Sequence, residues 1–222
     1  MFSEAILLGA ALGATFGLTG HAFRHQATKR RWQTIHQLLE EGQPEAYLAR
    51  VDDEVSRVRR PWHKQLLTAN KAAGYVYLGQ FEEAWGVLKN IQFERLPKGW
   101  RPAYVHNLLV TLIYQRRFDE ARRLMERHQD IFAHPGTFQA HLDTSLAIYQ
   151  WYVVGDKAAA RALLTDLAQA SRPVIYKVGV FYHLGLAAEE LGDPVAAQTW
   201  FRQAAEAAPN HWAALAAAKR LR

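Results

Sequence analysis

Residues 181–210 read FYHLGLAAEELGDPVAAQTWFRQAAEAAPN, and this stretch decides the fold class. Two segments rich in alanine, leucine, glutamine and glutamate flank the turn residues Gly192 and Asp193. Those residue types favour helix, whereas glycine interrupts it. The stretch therefore predicts a helix–turn–helix hairpin whose second helix stops at Pro209, because proline cannot continue a helix.

The same pattern recurs along the chain. Five segments that begin with a turn signal align with one another, and their starts are 37, 37, 39 and 37 residues apart. Each is followed by an amphipathic helical pattern and preceded by another helical stretch, while runs of valine, isoleucine and threonine at period two are missing. Repetition at this period is typical of a solenoid of helical hairpins, so we predict an all-α fold. The segments start at Gly42, Gly79, Arg116, Gly155 and Gly192.

The last unit resembles a tetratricopeptide repeat (TPR). The matches cover the paired Leu-Gly of the first helix, the turn, the small-large-small face of the second helix and the terminal proline. The other units keep a small residue in the second helix, at Ala84, Ala121 and Ala160, but lack the Leu-Gly pair. The matching residues of the last unit are Leu184, Gly185, Gly192, Asp193, Ala197, Phe201, Ala204 and Pro209.

The resemblance implies a TPR-like α-solenoid over residues 32–222, with about five helix–turn–helix units and a C-terminal capping helix. In this family the first helices line a concave groove that holds a protein or peptide partner. The family's carboxylate clamp is not predicted, because Asn70 and Asn107 recur at its repeat position without the expected cations beside them. Projecting the family's spacing gives the groove candidates Tyr77, His106, Tyr114, Tyr149, Tyr152 and Tyr182, although several of these could only pack helix against helix.

The N-terminal end of the sequence is an apolar run. Residues 2–23 contain one formal charge, Glu4, and as a helix would extend about 33 Å, which is enough to cross a bilayer core of about 30 Å. A cleaved signal peptide carries its positive charge before the apolar run, but here the positive charge follows it. That cluster comprises Arg24, Lys29, Arg30 and Arg31.

Positive residues favour the cytoplasmic side of a membrane. We therefore predict an uncleaved single transmembrane helix at residues 1–23, with the N-terminus outside the cell. Residues 24–31 are then a basic juxtamembrane linker that contacts anionic lipid, and residues 32–222 are cytoplasmic. A soluble, buried helix is the alternative interpretation of the apolar run.

Three glycines in the apolar run are spaced four residues apart, at Gly9, Gly13 and Gly17. Small residues at this spacing line one helix face and let a second helix approach closely. The stripe predicts packing against a second copy of the chain or against a membrane-protein partner. The alternative is that the glycines have no partner.

The sequence contains no recognisable catalytic motif. Cysteine is absent, which excludes disulfides, thiolate zinc sites and cysteine nucleophiles. Walker loops, Gly-x-Ser-x-Gly and His-Glu-x-x-His are absent as well. His134 and His141 lie seven residues apart with no carboxylate at ligand spacing. We predict no metal site, no cofactor and no enzymatic activity.

The chain is basic, with a net charge of +6 and a pI near 9.6, which favours anionic partners. Residues 57–64 read RVRRPWHK, so that Trp62 lies among three arginines and Lys64. Such interleaving can bind single-stranded nucleic acid. We favour a solvated or lipid-facing loop beside the acidic stretch VDDE at residues 51–54, and we expect no nucleic-acid partner.

Together these features predict a non-catalytic, membrane-anchored TPR scaffold or adaptor that holds a protein or peptide partner at the cytoplasmic face of the membrane. The layout is similar to that of bacterial inner-membrane repeat proteins that regulate lipopolysaccharide assembly. Those proteins end in a cysteine-bound metal domain, which a chain without cysteine cannot form. The alternative function is a structural or assembly subunit of a membrane complex, docked through the glycine-striped helix.

Overall fold

The computed structural model describes residues 33–222. The predicted anchor at residues 1–23, its glycine stripe at Gly9, Gly13 and Gly17, and the basic linker at residues 24–31 lie outside the described residues. Within residues 33–222, no helix combines the length and the apolarity that a membrane crossing requires.

The described part of the chain is helical throughout, and it contains no strand, which confirms the predicted all-α class. Short 3₁₀ turns occupy several loops, and a π-helical turn at Gln150–Val154 extends α8. The helices are α1 (33–40), α2 (Pro44–Arg57), α3 (Pro61–Leu78), α4 (Phe81–Leu88), α5 (Arg101–Tyr114), α6 (Phe118–Arg127), α7 (Gln129–Ala133), α8 (Gln139–Tyr149), α9 (Lys157–Gln169), α10 (Val178–Glu190), α11 (Pro194–Ala207) and α12 (Trp212–Arg220).

The five aligned turn positions share one backbone conformation. Four of them are glycines with φ between 72° and 84°, and the fifth, Arg116, adopts a φ of 59°. In this left-handed conformation, the backbone of the next residue can donate to a carbonyl of the preceding helix. The backbone N–H of Gln80 donates to Tyr75 at 2.9 Å, and that of Asp193 donates to Ala188 at 3.0 Å. The repeating turn signal therefore has a physical cause, because glycine adopts positive φ without the strain that a side chain adds.

Each hairpin packs its second helix against its first, and successive first helices lie side by side, as α3, α5 and α8 do. The small residues of the second helices are buried where the paired helices touch. Ala84, Ala121 and Ala160 have no exposed surface, and Ala197 is 3% exposed. A larger side chain at these positions would force the helices of a hairpin apart.

A very close helix contact lies in the last hairpin. A β-carbon built on Gly185 in α10 would lie 2.4 Å from the Phe201 ring of α11. Phe201 is 1% exposed, so its ring has no free space into which it could move. The close contact between α10 and α11 therefore requires glycine at position 185.

We expect Gly185→Ala to lower the free energy of unfolding by about 1–3 kcal/mol, because overpacking displaces Phe201. Gly179→Ala, in the same helix, is the matched control, since a β-carbon at Gly179 meets no atom within 4 Å. That change should leave stability unchanged or raise it by about 0.5–1 kcal/mol, as alanine favours helix over glycine. Urea unfolding followed by far-UV circular dichroism measures both. Equal effects of the two substitutions would show that the close contact is absent.

Candidate functional site

The C-terminal helix meets the N-terminal half of the chain through Trp212, the first residue of α12. Its ring packs on Tyr114 of α5 at 4.6 Å between centroids, on Tyr182 of α10 at 5.6 Å and on Phe81 of α4 at 5.8 Å. Gly79 permits this approach, because a β-carbon there would lie 2.8 Å from the β-carbon of Trp212. One indole thus joins elements from the beginning, middle and end of the described chain.

Further contacts join the C-terminal part of the chain to its N-terminal half. The His211 ring meets Tyr77 edge-on at 4.8 Å, and the Asn210 side-chain amide donates to the carbonyl of Gly42 at 3.0 Å. The Tyr176 hydroxyl donates to the Glu40 carboxylate. These contacts bring the first and last hairpins together, so the inner faces of the first helices surround a central cavity.

The central cavity has a volume of about 450 Å³, which lies within the range typical of ligand pockets. It is bounded by α1, α3, α5, α8, the loop before α10 and the starts of α10 and α12, while the second helices of the hairpins contribute nothing to it. Its wall is mostly apolar and aromatic. The principal residues of that wall are Val76, Trp100, Val110, Tyr114, Phe138, Ile148 and Trp212.

Four histidines line the central cavity. Burial lowers the pKa of His106 and of His211 to about 3 and that of His141 to about 4. The nearby Arg172 guanidinium also depresses the pKa of His106 and His141. Burial lowers the pKa of His36 as well, with Glu40 opposing it. All four imidazoles are therefore neutral at neutral pH, and they line the cavity as hydrogen-bonding groups without charge.

A fifth histidine supports the wall from within α10. His183 has no exposed surface, and its Nδ1 lies 2.6 Å from the carbonyl oxygen of Gly179. That carbonyl can only accept, so Nδ1 carries the proton and Nε2 accepts from the Tyr114 hydroxyl at 3.0 Å. The bond orients Tyr114 against Trp212. Burial lowers the pKa of His183 to about 4.

Several polar groups of the cavity wall have no hydrogen-bond partner among residues 33–222. Tyr77 Oη and His106 Nδ1 are both buried and unpartnered. Asn107 is 8% exposed, and its side-chain amide forms no hydrogen bond within the described part. An unsatisfied buried polar group costs about 1–3 kcal/mol, which a bound ligand or water removes. The cavity is therefore equipped to form new hydrogen bonds.

Arg172 supplies a positive charge to the cavity wall from the loop between α9 and α10. Its guanidinium donates to the carbonyls of Ala140, at 3.3 Å, and Tyr176, at 3.0 Å. Within residues 33–222, no carboxylate forms an ion pair with it. A half-buried guanidinium held by carbonyls keeps its full charge, and it therefore makes this side of the cavity suitable for an acceptor group.

The groove candidates from the sequence divide into two groups. Tyr77, His106 and Tyr114 line the central cavity, together with Asn70 and Asn107. The other three are packing residues outside the wall: Tyr182 contacts Trp212, Tyr152 packs edge-on against Tyr114 at 6.0 Å, and Tyr149 packs against the hydrophobic core.

Sequence reasoning missed most of the wall, and the missed residues with the most distinctive chemistry are His36, Arg172, His211 and Trp212. Three of them lie in segments assigned to a terminal unit or a cap, where the repeat spacing projects no groove position. Arg172 lies in an inter-helix loop that the family's spacing does not cover. An aromatic residue at the start of the capping helix was the one available signal.

No group of three or more metal-ligating side chains in the described part is arranged to hold a metal ion. His141 lies in the cavity wall, whereas His134 is exposed and its Nδ1 lies 3.3 Å from the backbone carbonyl of Asp130. The two histidines considered as metal ligands in the sequence, His134 and His141, therefore lie in different environments, one exposed and one in the cavity wall.

Comparison of the chain with protein-family models, with curated proteins and with solved structures found no match in any of the three. The functional argument therefore depends on the central cavity and on the sequence features described above.

We expect the folded chain to lose stability as the pH falls from about 6.5 toward 4. The buried histidines titrate near 3 to 4 when folded but near 6.5 when unfolded, so the unfolded chain binds more protons between these values. Their contribution is complete above pH 6.5 and declines below it. His106→Gln should reduce the slope of unfolding free energy against pH by up to about 1.4 kcal/mol per unit. Urea titrations at a series of pH values measure this slope, and a flat profile would contradict the buried, neutral cluster.

Proposed function

We propose that this protein is a non-catalytic, membrane-anchored binding protein of TPR-like hairpins. It holds a short segment of a protein or peptide partner in the central cavity. The observation that carries the proposal is a mostly apolar cavity with unpartnered polar groups in its wall. Cavities of this kind bind ligands, because the apolar wall supplies affinity while a few polar groups fix the orientation of the ligand.

The cavity's chemistry favours binding over catalysis. Its histidines are neutral and held by packing, and the described wall brings no nucleophile together with an oriented base. Catalysis of acyl or phosphoryl transfer needs such a pair or a metal. Tyrosine, tryptophan and phenylalanine instead offer large contact areas at a small entropic cost, as binding surfaces do.

The size of the cavity limits the occupant. A volume of about 450 Å³ excludes a folded domain, so the partner must present a few residues in extended or turn conformation. The partner's backbone can form hydrogen bonds with Tyr77, His106 and Asn107. The Arg172 guanidinium can donate hydrogen bonds to a carbonyl or an anionic group of the partner. The partner's apolar side chains then fill the aromatic wall.

The anchor remains part of the proposal, supported by the apolar run at residues 2–23 and by the cations that follow it. A tether of this kind would place the cavity at the cytoplasmic face. Arg24, Lys29, Arg30 and Arg31 would contact anionic headgroups. Partner capture would then occur next to the bilayer, which is the task of a membrane adaptor.

The test fills the cavity while leaving the fold intact. Gly179 lines the cavity and has free space beyond its α-carbon, so Gly179→Leu places a side chain where the partner would lie. Gly86 in α4 is a matched control, because it also lies in a helix with free space around it but outside the cavity wall. Tagged variants are purified from their native host in gentle detergent, and the co-purifying chains are identified by mass spectrometry.

We expect Gly179→Leu to lose a chain that the parent and Gly86→Leu both retain. Retention of every co-purifying chain by Gly179→Leu would overturn binding in the cavity. Loss of a chain on Gly13→Leu but not on Gly179→Leu would favour the alternative function, a subunit docked through its glycine-striped helix.

A further inference from the structure

One edge of the N-terminal half of the described chain has an excess of positive charge. Helices α3 and α5 lie side by side in the same direction, since Phe81 just after α3 stacks on Tyr114 at the end of α5, at 4.7 Å. Their N-terminal ends therefore share the opposite edge, together with the loops that precede them. The exposed cations here, which we call the basic edge, are Arg59, Arg60, Lys64, Lys89, Arg95 and Lys98.

The basic edge is not neutralised by the protein itself. None of its six cations forms an ion pair within residues 33–222. Two nearby acidic groups are already occupied, because Asp53 pairs with Arg57 at 2.8 Å and Glu94 pairs with Arg101 at 3.1 Å. The remaining cations are thus free to face an external anionic surface.

An exposed tryptophan lies within the basic edge. Trp62, in the first turn of α3, is 43% exposed and stacks on the His63 ring at 5.1 Å. Tryptophan is enriched at the membrane–water interface, because its ring is apolar and its N–H can hydrogen-bond to headgroups. A large aromatic side chain flanked by cations matches the headgroup layer of an anionic bilayer.

The N-terminal end of α1 lies on the same side of the molecule as the basic edge. Helices α1 and α2 form a hairpin through the turn at residues 41–43, with Ile35 packed against Tyr47 and Val51. Followed backwards from residue 40 to residue 33, the chain therefore runs toward the loop between α2 and α3. Residue 33, where the described part begins, therefore lies on the side of the basic edge.

The opposite edge has a different charge. The first turns of α4 and α6 lie there and contain Glu82, Glu83, Asp119 and Glu120, of which Asp119 pairs with Arg122 at 2.6 Å and Glu120 pairs with Arg117 at 2.7 Å. Acidic residues at helix starts are favoured by the helix dipole, so their placement has a local cause. The charges of the opposite edge therefore largely cancel, and an anionic leaflet would attract the basic edge more strongly.

We propose that the basic edge docks on an anionic lipid surface, with Trp62 in the headgroup layer. The inference extends the proposed function, because it fixes how the tethered solenoid is oriented. The loop between α2 and α3 faces the bilayer, and the turn that joins α3 to α4 faces away from it. Each cation near an anionic leaflet strengthens the attachment by about fivefold.

The experiment uses the full chain, whose lack of cysteine permits single-site spin labelling. One label replaces Asn90, beside the basic edge at the end of α4, and the control label replaces Glu83, at the start of the same helix. Each protein is reconstituted into vesicles of phosphatidylcholine alone and of phosphatidylcholine with about a third phosphatidylglycerol. Collision of the label with a water-soluble nickel chelate is measured by electron paramagnetic resonance.

We expect the anionic vesicles to reduce collisions severalfold at position 90 and to leave those at position 83 unchanged. The fourfold variant R59Q/R60Q/K64Q/K98Q should abolish this difference. The matched variant R123Q/R161Q/R202Q/K219Q should preserve it, since it removes four exposed cations from other surfaces. Equal collision rates at position 90 in both lipids, or an effect that survives loss of the basic edge, would overturn the proposal.

Carbonate extraction of the same vesicles separates this proposal from the proposed anchor. Release of the chain by carbonate contradicts the anchor, but protection of position 90 that depends on phosphatidylglycerol still supports the basic edge. Retention of the chain with no lipid-dependent protection supports the anchor and contradicts the basic edge.

Discussion

The packing of the Trp212 indole among three rings determines the form of this protein. Phe81, Tyr114 and Tyr182 come from three different hairpins, and all meet the same side chain. Each well-oriented aromatic pair contributes about 0.5–1.5 kcal/mol beyond its buried area, so the cluster can offset the entropy of closing the ends of the stack. Without it, the inner faces of the first helices would form an open groove. With it, they surround a central cavity.

The closure also explains why the cavity wall is chemically unusual. Enclosure removes water from four histidines and depresses their pKa, so groups that would titrate near neutral pH in an open groove stay neutral here. The same enclosure leaves Tyr77 Oη and His106 Nδ1 without partners. Binding capacity and acid sensitivity therefore share one physical origin, the burial of polar side chains in the cavity wall.

Much of the fold could be predicted from the sequence because it depends on local chemistry. The glycines at positions 42, 79, 155 and 192 have positive φ, and Arg116 occupies the equivalent position in the remaining hairpin. The small residues of the second helices are buried at the helix contacts, and Gly185 faces Phe201 directly. Such features repeat at a fixed period, and each is determined by residues a few positions away.

The closure of the stack could not be predicted, because it depends on contacts between residues that are far apart in the chain. Asn210 bonds to Gly42 across 168 residues, and Tyr176 bonds to Glu40 across 136. Such contacts arise from the small rotation between successive hairpins, which no single repeat encodes. For the same reason the repeat spacing assigned Tyr149, Tyr152 and Tyr182 to the groove but missed Arg172 and Trp212. The repeat spacing projects an open groove, whereas the first and last hairpins of this chain meet.

The most direct test of the closed cavity is the proximity of the two ends in solution. Spin labels at Glu41→Cys, in the turn after α1, and Leu215→Cys, on the exposed face of α12, report whether the first and last hairpins meet. We predict strong dipolar broadening in the otherwise unchanged chain, and its loss when Trp212→Ala is added. Absence of broadening in the chain that retains Trp212 would show an open solenoid and would contradict the account.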